Sequence, residues 1–222
     1  GEQLLTYARR MVALNDEVIT RLTDQAFEGE VTLGVPHDIV YPAIPQVLKQ
    51  FSADYPRVKV QLEASHTTVL KEKFERGAFD LILTTETVPG ARAETLAVKD
   101  LCWVGGPGGT CWRQHNPLRL AFGRYCMFRS VVTSALDRAG IPWEMSVETD
   151  SDRTIEAAVA ADLAIHAMID GTGPPYLEQI THGGVLPPLP SQQINLYGAA
   201  NAKGEVHDRL ADLLRRAFDA PL

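Results

Sequence analysis

Near the start of the chain, strand-like and helix-like stretches alternate, and this order constrains the fold more than any other feature. The strand-like stretches are 31–35, 58–62 and 80–83, and the helical stretches between them are 40–55 and 67–76. Strands separated by helices favour a parallel sheet with right-handed crossovers. The sequence therefore predicts an α/β fold.

In such a sheet, ligands bind beyond the carboxyl ends of the strands. The loops expected there are Pro36-His37-Asp38 and Ser65-His66-Thr67. The candidate ligand contacts in these loops and at the start of the next helix are His37, Asp38, Thr67 and Thr68. The hydroxyl of either threonine is a candidate ligand contact or an N-cap of the helix that it begins. Asp38 is a candidate contact or, as we favour, the N-cap of the helix that follows it, and His37 is a contact or simply solvated.

A second, similar α/β unit is predicted from about residue 100 onwards. Its expected strands are 101–104, 118–121, 144–148, 163–168 and 193–199, and its expected helices are 130–139, 151–161 and 204–218. Acidic residues near the start of the last helix and arginines near its end suit the helix dipole.

Four more residues of this second unit are candidates for ligand contact. Arg129 begins a helix and is suited to hold a carboxylate, or it forms an ion pair with Asp150 or Asp152. Asp150 and Ser151 open another helix, so each is a contact or a cap. His166 interrupts an apolar strand, which favours a hydrogen-bonded core histidine over a ligand contact or pH-sensitive switch.

Composition narrows the function classes. The 222 residues carry a formal net charge of −7, which argues against nucleic-acid binding by this chain alone. No stretch approaches the roughly 18 apolar residues of a membrane span, and the charged N-terminus does not resemble a secretory signal. Three cysteines, Cys102, Cys111 and Cys126, cannot all pair and fit a reducing compartment. We expect a cytoplasmic protein that does not bind membranes.

The motifs of common enzymes and cofactor sites do not occur. The glycine-rich stretch 105–109 lacks the lysine that follows a phosphate-binding loop, so it predicts a turn. Cys111 and His115 do not have the paired spacing of a zinc site. We expect no enzymatic activity, no metal and no cofactor.

Residues 1–26 predict a long amphipathic helix. Apolar side chains recur at intervals of seven, as in Leu4, Met11 and Val18, and a single polar residue, Asn15, interrupts one of the stripes. An isolated helix with this much apolar surface is unstable in water, so it needs a partner. The pattern favours a dimerisation element.

Several motifs, in this order, carry a family resemblance. They are Gly29-Glu-Val-Thr-Leu-Gly-Val35, Phe51-x-x-x-Tyr55-Pro56, Gly77-x-Phe79-Asp80-Leu81-Ile82-Leu83, Arg124 to Arg129 followed by Ala139-Gly140-Ile141-Pro142-Trp143, and Ala157 to Ala164. Together they resemble the regulatory half of a LysR-type transcriptional regulator, over nearly the whole chain.

The resemblance implies a type 2 periplasmic-binding-protein-like fold, with two Rossmann-like subdomains and a central cleft. Residues 1–26 would be the linker and dimerisation helix, 29–99 plus 199–222 the first subdomain, and 100–198 the second. The implied function is to bind a small-molecule effector in the cleft, as a homodimer or homotetramer. Promoter DNA would be bound by an N-terminal winged helix-turn-helix that this sequence lacks.

Two other functions remain open: a solute-binding protein of a transporter, which shares this fold class, and a small α/β enzyme. The chain also departs from the family pattern. Pro36-His37-Asp38 replaces small hydroxylic residues, Asp162 and Ala164 replace glycines, and His166 replaces an aliphatic residue. These changes leave the identity of the effector open.

Overall fold

The computed structural model describes Tyr7, Met11, Val12 and residues 28–114, 116–200 and 202–219. The three isolated positions are helical and their side chains are mostly exposed. The rest of the helix predicted for residues 1–26 lies outside the described residues, as does His115.

The order of elements is largely that of an alternating α/β chain. The strands are β1 Gly29–Pro36, β2 Val58–Ser65, β3 Leu81–Glu86, β4 Glu94–Lys99, β5 Leu101–Gly105, β6 Leu118–Phe122, β7 Trp143–Glu148, β8 His166–Ile169, β9 Glu178–Gln179 and β10 Gln192–Gly198. The helices are α1 Ala43–Asp54, α2 Thr67–Glu75, α3 Cys111–Gln114, α4 Met127–Ala139, α5 Asp152–Ala160 and α6 Glu205–Asp219, with a 3₁₀ turn at His37–Ile39.

The first unit contains a five-stranded sheet in the order β2-β1-β3-β10-β4. Strand β1 runs parallel to β2 and to β3, as the sequence predicts. All six residues of β3 are buried, which explains its continuously apolar start. Gly34 of β1 allows close packing there, because a Cβ would lie 2.9 Å from side-chain atoms of Ile82 and Leu70.

Strand β10 lies in a different place from the one expected. We expected a strand at 193–199 in the second unit, but β10 pairs antiparallel with β3 and β4 in the first sheet. Strand β4, which the sequence pattern did not predict, lies beside β10 and forms the edge of this sheet. The alternation of apolar residues reveals a strand but not its partner, so the sequence alone could not assign β10 to a sheet.

The two connections between the units meet at one point. Asp100 separates β4 from β5, and Ser191 precedes β10. The Ser191 hydroxyl donates a 2.8 Å hydrogen bond to the Asp100 carboxylate, so the outgoing and returning segments lie side by side.

The second unit is built on smaller sheets. Strand β5 pairs antiparallel with β8 and β9, and β6 pairs parallel with β7. Helices α4 and α5 cover these strands with buried side chains that include Leu136 and Ile155. Leu120, Phe122 and Ile165 are fully buried at the centre.

A buried polar network closes the carboxyl end of β3. The Glu86 carboxylate is 5% exposed and accepts hydrogen bonds from the hydroxyls of Tyr197 at 2.8 Å and Thr84 at 3.0 Å. It also pairs with Lys71, and Asn195 donates at 3.4 Å. A buried carboxylate needs such partners, so this network ties α2, β3 and β10 together.

Asp162, one of the departures from the family pattern, has a structural role. Its φ is 56°, the left-handed region in which aspartate is better tolerated than most residues. Its carboxylate accepts hydrogen bonds from the amides of Thr110 at 2.9 Å and Cys111 at 3.1 Å, at the start of α3. It therefore satisfies helix amides that a glycine would leave without this partner.

Candidate functional site

A cleft between the two units holds a cavity of about 70 Å³. One water needs about 10–15 Å³ of such space, so the cavity has room for roughly five waters. The first unit contributes the carboxyl ends of β1, β2 and β3, and the second contributes the first turns of α4 and α5 together with β8. The lining residues are His37, Asp38, His66, Thr67, Thr85, Cys126, Met127, Phe128, Asp152, Ile155, Glu156, His166, Ala167, Met168 and Thr172.

The cleft brings together four of the eight site residues expected from the sequence: His37, Asp38, Thr67 and His166. The other four do not line the cavity. Thr68 and Asp150 are exposed to solvent. The Ser151 hydroxyl is the N-cap of α5 and accepts from the amide of Thr154, which is the cap interpretation of that residue.

Arg129 forms an ion pair, but with a different acid from those expected. Its Nη2 atom lies 2.7 Å from Glu148 Oε2, and Arg124 binds the other carboxylate oxygen at 2.9 Å. Neither Asp150 nor Asp152 is its partner in these contacts. The two arginines hold the pKa of Glu148 below its ordinary value, through hydrogen bonds first.

The Thr67 hydroxyl links α2 to the end of β3 and does not cap the helix, whose N-cap is His66. It accepts a 3.1 Å hydrogen bond from the amide of Thr85 and lies 3.2 Å from the Thr85 hydroxyl. Thr67 is 3% exposed and Thr85 is 1% exposed, so this pair of threonines forms a buried part of the cleft wall.

Asp38 carries the most informative group in the cleft. We favoured a helix cap for it, but α1 begins only after Pro42, and Asp38 lies within the 3₁₀ turn. Its Oδ2 atom is buried and has no hydrogen-bond partner in the described part of the chain. Burial raises the pKa of this carboxyl from 3.8 to about 6, against the opposing effect of the hydrogen bonds that it accepts from its own backbone N–H and from the Thr85 side chain.

His166 is both a hydrogen-bonded core histidine and part of the cavity wall. Its Nδ1 atom lies 2.7 Å from the carbonyl oxygen of Ala121, which can only accept, so Nδ1 donates. Its ring packs 4.4 Å from that of Phe122, centroid to centroid. Burial lowers the pKa of His166 to about 4, so the ring is neutral at pH 7 and Nε2 is an acceptor.

Two histidines and an aspartate line the cleft on opposite sides. His37 Nδ1, in the first unit, lies 3.7 Å from Asp152 Oδ2 of α5 in the second unit. The His66 ring lies 5.4 Å from that of His37. Burial is the main cause of the lowered pKa of His66. The His37–Asp152 contact therefore joins the two walls of the cleft.

Eight polar or sulfur-containing lining residues were not among the site residues expected from the sequence: His66, Thr85, Cys126, Met127, Asp152, Glu156, Met168 and Thr172. The signal for His66 and Asp152 was present, since each stands at the start of a helix that follows a strand. The Cys126 thiol has its pKa raised to about 12 by burial, which keeps it protonated.

Among the side chains that the structure describes, no three histidine, cysteine, aspartate or glutamate residues cluster closely enough to hold a metal ion. Within the same described positions, no helix has the length and apolar character required to cross a membrane.

Comparison with known families decides what kind of domain this is. The family model for the LysR substrate binding domain matches residues 24–219. The chain belongs to this family. Its LysR-type membership, inferred from the sequence motifs, is therefore confirmed, and so is the two-unit α/β fold expected of these effector-binding domains.

Curated relatives of this LysR domain are transcriptional regulators. The chain is 29% identical over 197 residues to the regulator DgdR of Burkholderia cepacia, covering 88% of the chain and 67% of DgdR. It is 24% identical over 196 residues to PecT of Dickeya dadantii, covering 88% of the chain and 62% of PecT. The relatives are regulators and not enzymes, and neither the enzyme nor the transporter alternative is favoured.

Solved structures agree on the fold. The CcmR regulatory domain of Synechocystis, in complex with 2-PG, has a TM-score of 0.69 and 16% identity, covering 85% of this chain and 97% of that domain. The effector-binding domain of QuiR, in complex with shikimate, has a TM-score of 0.65 and 14% identity, covering 86% and 97%. The chain is thus a LysR effector-binding domain.

Proposed function

We propose that the cleft between the two units is the effector site, and that its occupancy is transmitted to DNA-binding domains outside this chain. The observation that carries the proposal is the buried, unpartnered Oδ2 atom of Asp38 in a cavity lined by both units. A buried polar atom without a partner is costly unless something satisfies it. A ligand in the cleft supplies that partner.

Effector binding is transmitted because the two walls of the cleft belong to different units. Asp38 and Thr67 are fixed to the first unit, whereas Asp152 and His166 are fixed to the second. A ligand that contacts both walls favours the arrangement in which they are closest. It shifts the protein toward that arrangement only by the difference in its affinity for the two states.

The assembly of the full regulator is part of the same proposal. Residues 1–26 form the linker and pair with a second copy in a homodimer or homotetramer, which fits the exposed side chains of Tyr7, Met11 and Val12. The winged helix-turn-helix expected before them binds promoter DNA in the cytoplasm. We place the first subdomain at 29–99 plus 192–222, moving its return boundary to include β10, and the second at 100–191.

A thermal-shift screen over a metabolite library tests the effector site without assuming a ligand class. A ligand at 100 times its Kd adds about 2.7 kcal/mol, which is on the order of 5–10 °C in Tm for a chain of this size. Each hit is repeated on Asp38→Asn and on the matched pair Thr67→Val and Thr68→Val, with each shift measured from the variant's own ligand-free Tm.

We expect the shift to fall in Asp38→Asn and Thr67→Val and to persist in Thr68→Val, because only Thr68 is outside the cavity lining. Hits that stabilise all three variants as much as the wild type would place the effector elsewhere.

A further inference from the structure

We propose, resting on the effector site above, that the cleft selects a compact ligand bearing a protonated amine or an equivalent cationic hydrogen-bond donor. The arrangement of charges and acceptors carries this inference, together with the apolar surface beside them.

The first observation is the sign of the charged groups. Three carboxyl residues line the cavity, Asp38, Asp152 and Glu156, while no lysine or arginine does so among the described residues. Arg129, which the sequence suggested as a carboxylate contact, forms an ion pair with Glu148 and does not line the cavity. An anion in this cleft would face acids without a permanent positive charge to offset them.

The second observation is that the free positions on the buried polar groups of the cleft are hydrogen-bond acceptors. Asp38 Oδ2 is an acceptor without a partner in the described chain. His166 donates through Nδ1 to Ala121, which leaves its Nε2 as an acceptor. By contrast, Glu156 already accepts from Tyr176, and Asp152 faces His37. Asp38 is therefore the buried carboxylate with an unsatisfied acceptor, and a ligand N–H group matches it.

Charge makes an ammonium group a better match than a neutral donor. Burying the Asp38 carboxylate costs free energy that a neighbouring positive charge offsets. A charge-assisted hydrogen bond is also stronger than a neutral one, by roughly a factor of two. An alcohol would satisfy the acceptor but would leave the carboxylate charge uncompensated.

The remaining wall limits the rest of the ligand. Phe128, Ile155 and Met168 border the same cavity and offer an apolar surface. The cavity of about 70 Å³ has room beside these side chains for a short or branched alkyl group. The inferred ligand is thus a small amine with an apolar body.

The test uses three probes of nearly the same shape: isobutylammonium, isobutanol and isobutyrate. Binding to the folded chain is measured by NMR titration at pH 8, where an alkylammonium group is protonated and ordinary histidines are neutral. The variant Asp38→Asn keeps the shape of the side chain and removes its charge. The matched control is Glu72→Gln, an exposed position on α2 that does not line the cavity.

We expect isobutylammonium to bind more tightly than the other two probes. Asp38→Asn should weaken it about tenfold to a hundredfold, the value of a charged hydrogen bond, while Glu72→Gln leaves it within twofold. Chemical shifts of Thr67 and Met168 should move with the ammonium probe, which places it in the cleft even if Asp38→Asn folds poorly.

Preferential binding of isobutyrate in the cleft would overturn the ligand class and leave the effector site standing. Failure of all three probes to bind would also overturn the ligand class, because the contact between the ammonium group and Asp38 would then add too little binding free energy. The proposed function fails separately, if the class-neutral screen finds no ligand whose effect depends on Asp38 or Thr67.

Discussion

The carboxyl of Asp38 should make the protein less stable at neutral pH than it would be without that charge. The folded state raises the pKa of this group from 3.8 to about 6, mainly through burial. Between these two values the folded state binds more protons than the unfolded state, so stability rises as the pH falls through this range. At about 1.4 kcal/mol for each pKa unit, the full penalty above pH 6 is about 3 kcal/mol.

The substitution Asp38→Asn removes the titrating group while keeping the side-chain shape. Urea unfolding of the wild type and the variant is measured from pH 4.5 to pH 8, without ligand. The difference in unfolding free energy, variant minus wild type, should rise by about 2 kcal/mol from pH 4.5 to pH 7 and then level off. Other titrating groups largely cancel in this difference.

Glu72→Gln is the control, because an exposed substitution of this kind changes stability by less than about 0.5 kcal/mol. A pH-independent difference for Asp38→Asn, or one that falls as the pH rises, would refute the reasoning. It would mean that the Asp38 carboxylate is satisfied by a partner or by solvent in the folded state.

Three further predictions concern buried polar groups and are also measured by urea unfolding. Tyr197→Phe removes a hydrogen-bond donor to the buried carboxylate of Glu86 and should cost about 1–3 kcal/mol; an unchanged midpoint would show that the network adds no stability. Asp162→Ala loses the amide contacts and keeps the positive φ, so it should cost about 1–3 kcal/mol and more than Asp162→Gly; the reverse order would contradict the strain argument. Because the pKa of His166 is lowered to about 4, the wild type should lose up to about 3 kcal/mol relative to His166→Gln as the pH falls from 6.5 to 4. A flat difference would contradict burial of the neutral ring.

Local patterns in the sequence predicted most of the elements, since alternation and helical periodicity are set by neighbouring residues. The parallel arrangement of β1, β2 and β3 followed from their separation by helices, and the structure confirms it. The sheet assignment of β10 did not follow, because it depends on strands far away in the chain.

The candidate site was only half predictable for a related reason. The sequence places His37, Asp38 and Thr67 in loops at strand ends, which is enough to list them as candidates. It does not say which acid an arginine will meet, so the pairing of Arg129 with Glu148 was missed. The isolation of Asp38 Oδ2 depends on both walls of the cleft and exists only in the folded chain.

The position of β10 has a consequence for how the chain is synthesised. Strand β10 lies between β3 and β4, so the first sheet is incomplete until the chain has been synthesised through Gly198. The strands β5 to β9 of the second unit are all synthesised before β10. That unit can therefore assemble while β4 is not yet paired with β10. The first unit is therefore translated before the second but completes its sheet after it, and its unpaired strand edges are exposed to chaperones and to aggregation during that interval.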